Sequence, residues 1–218
     1  IVIDDTTAPV ADASSLADVT AQCSASAPTA PTATDNCSGT VTGTTTTSFP
    51  VTTQGTTVVT WTYTDAEGNT STQTQNIVID DTTAPVADAS SLSDVTAECS
   101  VTSLTAPTAT DNCSGTVTGT TTTSLPITAQ GTTVVTWTYT DGEGNTSTQT
   151  QNVVIDDTTA PIVIVQDITV FLDSNGESLI STSDIDDGSI DNCSGDLTFE
   201  LDIVLFTCDD VGENIVTL

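Results

Sequence analysis

The chain has 218 residues, with 30 Asp and Glu, no Lys, Arg or His, and a formal charge of −30 at pH 7. No side-chain salt bridge can form, and nucleic acid and anionic membrane surfaces are poor partners for so acidic a chain. Catalysis has little to stand on: Ser and Thr lack a base in any recognisable motif, and the acids recur in turns rather than as one catalytic pair, so no enzyme activity is expected. There is no run of about twenty apolar residues and no basic, apolar amino terminus, so direct membrane insertion and an export signal within this stretch are not expected.

Residues 5–80 and 81–156 are one module written twice without an insertion, differing in mild replacements such as Phe49 to Leu125, Val51 to Ile127 and Ile77 to Val153. This is a tandem array. Residues 1–4 read as the end of a preceding unit's final strand. Residues 157–218 open a third, divergent copy that keeps the DTTAP phrase at 157–161 and the DNCSG phrase at 191–195 but stops before its own final hairpin. The sequence is therefore expected to be a window of a longer array.

Within the second copy, strands are predicted over 94–98, 116–123, 132–140 and 145–155, with almost no helix. In the stretch around Trp137 and Tyr139 apolar residues alternate with Thr, the period-two pattern of a half-buried strand, so both aromatics are expected in the core. Residues 141–145 (DGEGN) form a tight hairpin connection. The first copy repeats this with Trp61, Tyr63 and residues 65–69. The predicted class is all-β, tandem immunoglobulin-like sandwiches closed from antiparallel strands. The short IDDTTAP connection, without a Gly/Ser tether, favours a stiff rod in which each unit adds roughly 35 to 40 Å.

Each unit holds two cysteines: Cys23 and Cys37, Cys99 and Cys113, Cys193 and Cys208. Even spacing in small extracellular modules points to disulfides, expected here within each unit, and to an oxidising compartment. Zinc would want C-x-x-C pairs or His, which the sequence lacks. Cys193 has no upstream mate at the position of Cys99 and gains a downstream one in Cys208.

The phrases DTTAPV, PTATDNCSG, the GTTVV strand start and TDxEGNT together resemble hyalin-repeat (HYR-like) immunoglobulin-type modules, over essentially the whole chain. Copies this Thr-rich, Lys-free and nearly identical look most like the tandem repeats of giant cell-surface adhesins of gliding Bacteroidetes, the SprB-type gliding-motility adhesins. That resemblance implies export by the type IX secretion system, filaments at the cell surface, and contact with the secretion and motility machinery of the outer membrane.

If the module follows the immunoglobulin path, the DNCS loop and the hairpin after the Trp strand meet the incoming linker, and carboxylates converge at each joint. The candidates are Asp4, Asp5, Asp35, Asn36, Asp65, Glu67 and Asn69 at one joint. The next has Asp80, Asp81, Asp111, Asn112, Asp141, Glu143 and Asn145, and the third Asp156, Asp157 and Asp191. Hard oxygen ligands in this number suit Ca2+. Asp and Asn are equally favoured turn residues whose side chains bond nearby N–H groups, so both readings stand at this point. Residues 184–188 with Asp191 superficially resemble a calcium loop, but the Gly comes one place early for an EF-hand. Asp-Thr-Thr at Asp5, Asp81 and Asp157 fits a Bacteroidetes O-glycosylation pattern on Thr6, Thr82 and Thr158.

The function expected from these features is a non-enzymatic stalk of a secreted, cell-surface adhesin. Its partners would be neighbouring repeats, and an extracellular substratum or polysaccharide reached through distal domains. The alternative is that rows of Thr hydroxyls, such as 44–47 and Thr60, Thr62 and Thr64, themselves contact polysaccharide or ice, although outward Thr opposite inward Trp and Tyr is also ordinary alternation.

Overall fold

A computed structural model describes residues 1–193 and 196–218, so Ser194 and Gly195 of the third DNCSG phrase lie outside the described residues. The first copy contains β1 (Val10–Ala11), β2 (Val19–Ala21), β3 (Thr32–Asp35), β4 (Gly39–Thr42), β5 (Gly55–Thr64) and β6 (Thr70–Ile79). They form two sheets, β1-β3-β4 and β2-β6-β5.

Strands β5 and β6 make a ten-residue antiparallel hairpin, in register from Gly55 opposite Ile79 to Thr64 opposite Thr70. Alternation decides its faces. Val59, Trp61 and Tyr63 on β5 and Ile77 and Ile79 on β6 point inward and are buried. Between them on β5, Thr56, Thr60 and Thr64 are exposed. Trp61, Val59, Ile77 and Ile79 cluster with Ala25 and Val51, and Leu16, Val19, Ala21, Ala30 and Phe49 pack around them.

The two aromatic polar tips are anchored by glutamines of β6. Trp61 Nε1 donates to Gln75 Oε1 (3.1 Å) and Tyr63 Oη to Gln73 Oε1 (2.8 Å). The same two amides donate onward to the carbonyls of Ala13 and Ala17. A buried indole or phenol needs such a partner, and here the partner also ties the 13–17 segment to the sheet.

The chain changes sheets after β4 at Gly43. A Cβ there would lie 3.0 Å from the Tyr63 ring and 3.2 Å from the Pro31 carbonyl, so the close approach needs glycine. Thr44 then bridges to Thr62 on β5. The all-antiparallel expectation needs one correction: β2 pairs with β6 in parallel, Val19 to Ile77 through Ala21 to Ile79. The chain leaves β1 in one sheet and reaches the other sheet's edge running in the direction of β6, so no hairpin links β2 to its neighbour.

The second copy repeats this as β7 (Val86–Ala87), β8 (Val95–Ala97), β9 (Thr108–Asp111), β10 (Gly115–Thr118), β11 (Gly131–Thr140) and β12 (Thr146–Ile155). Its sheets are β7-β9-β10 and β8-β12-β11. Val135, Trp137, Tyr139, Val153 and Ile155 are buried. The strand predicted over 116–123 ends at Thr118, and Thr120 bridges to Thr138 instead. Strand β9 went unpredicted because PTATD reads as turn chemistry.

Two compact units emerge from the contacts, and the division runs through the second copy. One comprises Ile1–Ser90, Ala106–Thr120 and Trp137–Gln149; the other Ser91–Thr105, Thr121–Thr136 and Thr150–Leu218. In the third copy β13 (Glu177–Leu179) pairs with β14 (Leu205–Thr207), and α1 (Thr182–Ile185) lies between them in sequence. Ile180, Ile185, Leu201 and Phe206 form its small core. Asp184, in the segment resembling a calcium loop, instead caps α1 by accepting from Ser181 N (2.8 Å) and Oγ (2.7 Å), and Asp186 Oδ1 accepts from Ser189 N (3.0 Å). Among the described residues no helix is long and apolar enough to cross a membrane.

Truncating Trp61 removes the largest core side chain of its copy together with the partner of Gln75. Trp61→Ala is expected to destabilise that copy by about 3–5 kcal/mol, read from urea unfolding by circular dichroism. A loss below about 1 kcal/mol would contradict the packing described.

Candidate functional site

The joint between the first two copies is built from five segments that lie in the same compact unit. The linker continues β6 directly: Asp80 N donates to Ala21 O (2.9 Å) and Asp81 N to Gln54 Oε1 (3.2 Å). Asp81 Oδ1 accepts from Thr83 N (3.1 Å), a local turn, while Thr83 Oγ1 donates to Gln22 Oε1.

From the second copy, the loop between β9 and β10 is folded around Asp111. Its Oδ1 accepts from Cys113 N (2.9 Å) and Ser114 N (2.7 Å). The β11–β12 hairpin is folded in the same way around Asp141, whose Oδ1 accepts from Glu143 N (3.0 Å) and Asn145 N (2.7 Å). Asn145 Nδ2 clamps this hairpin to the linker by donating to Asp81 O (3.0 Å) and Asp141 Oδ2 (2.9 Å). Burial works against the Asp141 carboxylate, but the Asn145 side chain and the N–H groups of the turn hold its pKa below the usual carboxylate value.

Here the structure corrects the expected cysteine pairing. The bonds run between copies, Cys23 to Cys113 (Cα–Cα 5.0 Å) and Cys99 to Cys193 (4.8 Å), and leave Cys37 and Cys208 as exposed thiols. The reason lies in the hairpin. Cys23 follows β2, whose last residue Ala21 pairs with Ile79 at one end of β6. Cys37 sits in the turn between β3 and β4 that touches the opposite end, where Ala66 N donates to Ser38 Oγ (3.1 Å). Nine strand steps separate the two ends, about 30 Å at 3.3–3.4 Å per residue, whereas a disulfide requires Cα atoms within about 7 Å.

The second inter-copy joint has related polar wiring. Asp157 N donates to Gln130 Oε1 (3.1 Å), Thr159 Oγ1 donates to Glu98 Oε1 (3.1 Å), and Asn192 Nδ2 donates to Glu98 Oε2 (2.9 Å). At the first joint Asn112 Nδ2 donates to Gln22 Oε1 (2.8 Å) and toward Cys23 Sγ (3.2 Å). Asn112 thus faces the bridge rather than the carboxylates. Sequence reading missed Gln22, Gln54, Glu98 and Gln130. Their signal was faint: they are the long polar side chains that immediately precede Cys23, Cys99 and each GTT strand start.

The candidate ligands divide into groups. Oxygens of Asp81, Asp141 and Glu143 lie within 4.8 Å of one another, as do those of Asp5, Asp65 and Glu67. Asp81 also meets Asp111 and Cys113, and Asp157 meets Asp191 and Cys193, at the same spacing. The sulfurs of Cys113 and Cys193 are bonded in disulfides and offer no thiolate. Asp35, Asp81 and Asp111 are each only 4% exposed. Their Oδ2 atoms, with that of Asp5, are buried without any donor from the protein. A buried carboxylate oxygen left so is costly.

Asn69 Nδ2 donates to Asp5 O (3.0 Å), as Asn145 does to Asp81, and Asn36 Nδ2 to Cys37 Sγ (3.1 Å). Asp4, Asp80 and Asp156 are exposed, as are Thr6, Thr82 and Thr158. The Cys37 thiol is pushed up in pKa, first by its hydrogen bond to Asp5, then by desolvation and the neighbouring carboxylates.

The family described as "HYR-like domain with 4 cysteines" matches residues 9–79 and 83–155. The chain belongs to this HYR-like family. Each HYR-like copy here carries two cysteines rather than four. Hyalin of Lytechinus variegatus is 42% identical over 152 residues, 62% of this chain and 28% of that protein, so the HYR-like segment spans less than a third of the relative's length. Among solved structures, the protocadherin γB4 extracellular domain matches 75% of this chain and 35% of its own at 14% identity (TM-score 0.33). Protocadherin γB2 cadherin domains 1–5 match 80% and 45% at 16% identity (TM-score 0.31). HYR-like repeats are extracellular, adhesion-type structural modules.

Mapping of the unreduced protein is expected to yield peptides linking Cys23 to Cys113 and Cys99 to Cys193. The digest must cut at Asp and Glu, since there is no Lys or Arg. Replacing Cys23 and Cys113 together by Ser should cost about 2–5 kcal/mol, for a closed loop this long. Recovery of a Cys23–Cys37 peptide would refute the arrangement.

Proposed function

We propose that this HYR-like segment is a load-bearing stalk of a cell-surface adhesin, holding a distal binding domain away from the cell. The observation that carries the reading is the disulfide joining each copy to the next, beside a linker whose carbonyls and amides are already bound by both copies. A joint wired in this way transmits position from one copy to the next, which a spacer needs and a set of independent binding modules does not.

Within that reading, the chain is a segment of a gliding-motility adhesin of the SprB type, exported by the type IX system. Its near-identical, Thr-rich, Lys-free copies support this assignment. The partners are then adjoining repeats, the outer-membrane secretion and motility machinery, and a substratum or polysaccharide reached by distal domains.

Direct binding by the Thr rows is the weaker reading. Thr44 Oγ1 already donates to Thr62 O (3.2 Å) and Thr45 Oγ1 to Thr47 Oγ1 (3.2 Å), so part of that hydroxyl array is turned inward on the protein. On a glycan array and in an ice-recrystallisation assay the purified chain is expected to be silent. Saturable binding in either would replace the stalk by a binding module.

The carboxylates at each joint are read as a Ca2+ site. Asp81 and Asp111 bury oxygens that no protein group satisfies, beside Asp141 and Glu143, and four carboxylates with backbone and water oxygens suit a cation taking six to eight ligands. Asp5, Asp35, Asp65 and Glu67 form the equivalent set one copy earlier. Millimolar Ca2+ should raise the thermal midpoint relative to chelator by an amount that grows with concentration. The response should fall in Asp81→Asn, whose own midpoint in chelator serves as its reference. An equal midpoint with and without Ca2+ in the unaltered chain would return these acids to turn chemistry.

A further inference from the structure

Each inter-copy disulfide has one sulfur set beside two carboxylates. Cys113 Sγ lies within 4.8 Å of oxygens of Asp81 and Asp111, and Cys193 Sγ within the same distance of oxygens of Asp157 and Asp191. At the first bridge both acids are only 4% exposed. One oxygen of each is held by turn amides, while the other, Oδ2, is buried with no donor from the protein. At the second bridge a further acid adds to the charge: Asn192 Nδ2 donates to Glu98 Oε2 (2.9 Å) and toward Cys99 Sγ (3.5 Å). The chain has no Lys, Arg or His to offset any of these. All four bonded cysteines are half-buried rather than sealed, so a small thiol can reach them.

That placement bears directly on the chemistry of the bridge. Exchange begins when a thiolate attacks one sulfur and the other departs as a thiolate, so negative charge builds on the sulfurs along the way. Attack on Cys23 makes Cys113 the leaving thiolate, beside Asp81 and Asp111. Attack on Cys113 brings an external thiolate to the same two acids. Either route gathers like charge in one place, and incomplete solvation strengthens the repulsion. Asn112 Nδ2 donates toward both sulfurs (3.2 and 3.0 Å), but it is a neutral group already shared with Gln22 Oε1.

We propose that these carboxylates select the reagent that opens the joints: the inter-copy bridges exchange with thiols that carry positive charge and resist anionic ones. The partner that fits is a thiol set in positively charged surroundings, opposite in sign to this chain. Two monothiols are consumed per bridge. The first forms a mixed disulfide with one cysteine and frees the other as a thiol; the second attacks the mixed disulfide and frees the remaining cysteine. Both cysteines end reduced, carrying the two reagent protons, and the reagent leaves as its own disulfide. The proposal rests on the inter-copy bonds alone, not on calcium or on adhesion.

The test uses the full chain in chelator at low salt, with Cys37 and Cys208 first alkylated. The Cys23–Cys113 and Cys99–Cys193 peptides are confirmed at the start, and their absence would overturn the bridges and this proposal with them. Opening of each bridge is then timed by quenching with a second alkylating reagent and mass spectrometry. The cationic, neutral and anionic probes are 2-aminoethanethiol, 2-mercaptoethanol and 3-mercaptopropionate. Each rate is taken per thiolate and divided by that with bis(2-hydroxyethyl) disulfide, which removes the reagents' own reactivity. The cationic probe is expected to exceed the anionic one at least about tenfold at both bridges, and the excess to shrink as ionic strength is raised to about 1 M. Asp81→Asn should cut the excess about threefold at Cys23–Cys113 and leave Cys99–Cys193 unchanged, and Asp157→Asn should do the reverse. Equal normalised rates for the three probes would overturn the proposal. So would an excess that neither substitution alters, because it would come from the net charge of the whole chain.

Discussion

The length of one hairpin governs most of what is specific to this molecule. Because β5 and β6, like β11 and β12, are ten residues long, each of the first two copies has two ends about 30 Å apart. The strand β2 delivers its cysteine to one end and the β3–β4 turn delivers the other cysteine to the opposite end. Neither cysteine can reach its mate in its own copy, and the bonds form across copies instead, Cys23 to Cys113 and Cys99 to Cys193. The same geometry aims the linker, the DNC loop and the β11–β12 hairpin at a single place.

A chain without one basic side chain must satisfy its acids otherwise, and it does so with hydroxyls and amides. Asp12 accepts from Thr32 Oγ1 (2.5 Å) and Thr34 Oγ1 (2.6 Å), and these two bonds hold its pKa below the ordinary value. Asp88 is bound likewise by Thr108 and Thr110. Threonine therefore serves twice, as a β-branched strand former and as the donor that a basic residue supplies in most proteins. At Asp5, Asp35, Asp81 and Asp111 one carboxylate oxygen stays buried and no protein group donates to it, and that unmet demand singles out the candidate ligand clusters.

The periodicity around Trp61 and Trp137 placed the core strands and their inward faces correctly because alternation there is uninterrupted. It overran at 116–123, where Gly119 lets the chain step from one sheet to the other beside Tyr139. It missed β9 because Pro, Thr and Asp carry turn signals that tertiary pairing overrides. The cysteine pairing was misread for a different reason: sequence proximity of 14 positions between Cys23 and Cys37 suggests a local bridge, whereas the fold sets them at opposite ends. One clue was present in the third copy, where the DNC cysteine persists although no cysteine stands at the donor position. Under pairing across copies, Cys193 needs no upstream mate in its own copy.

The two disulfides overlap in sequence, since Cys99 precedes Cys113. If the chain is pulled from its two ends, tension enters at Cys23, crosses to Cys113, runs backward along the chain to Cys99, and crosses again to Cys193. The hairpins of the first and second copies lie off this path, so their hydrogen bonds carry no load even after the surrounding structure has yielded. Only roughly 60 residues can be drawn straight, about 200 Å, where the reduced chain would pay out more than three times as much. The overlap works as a fuse against overextension, one whose setting depends on the redox state outside the cell.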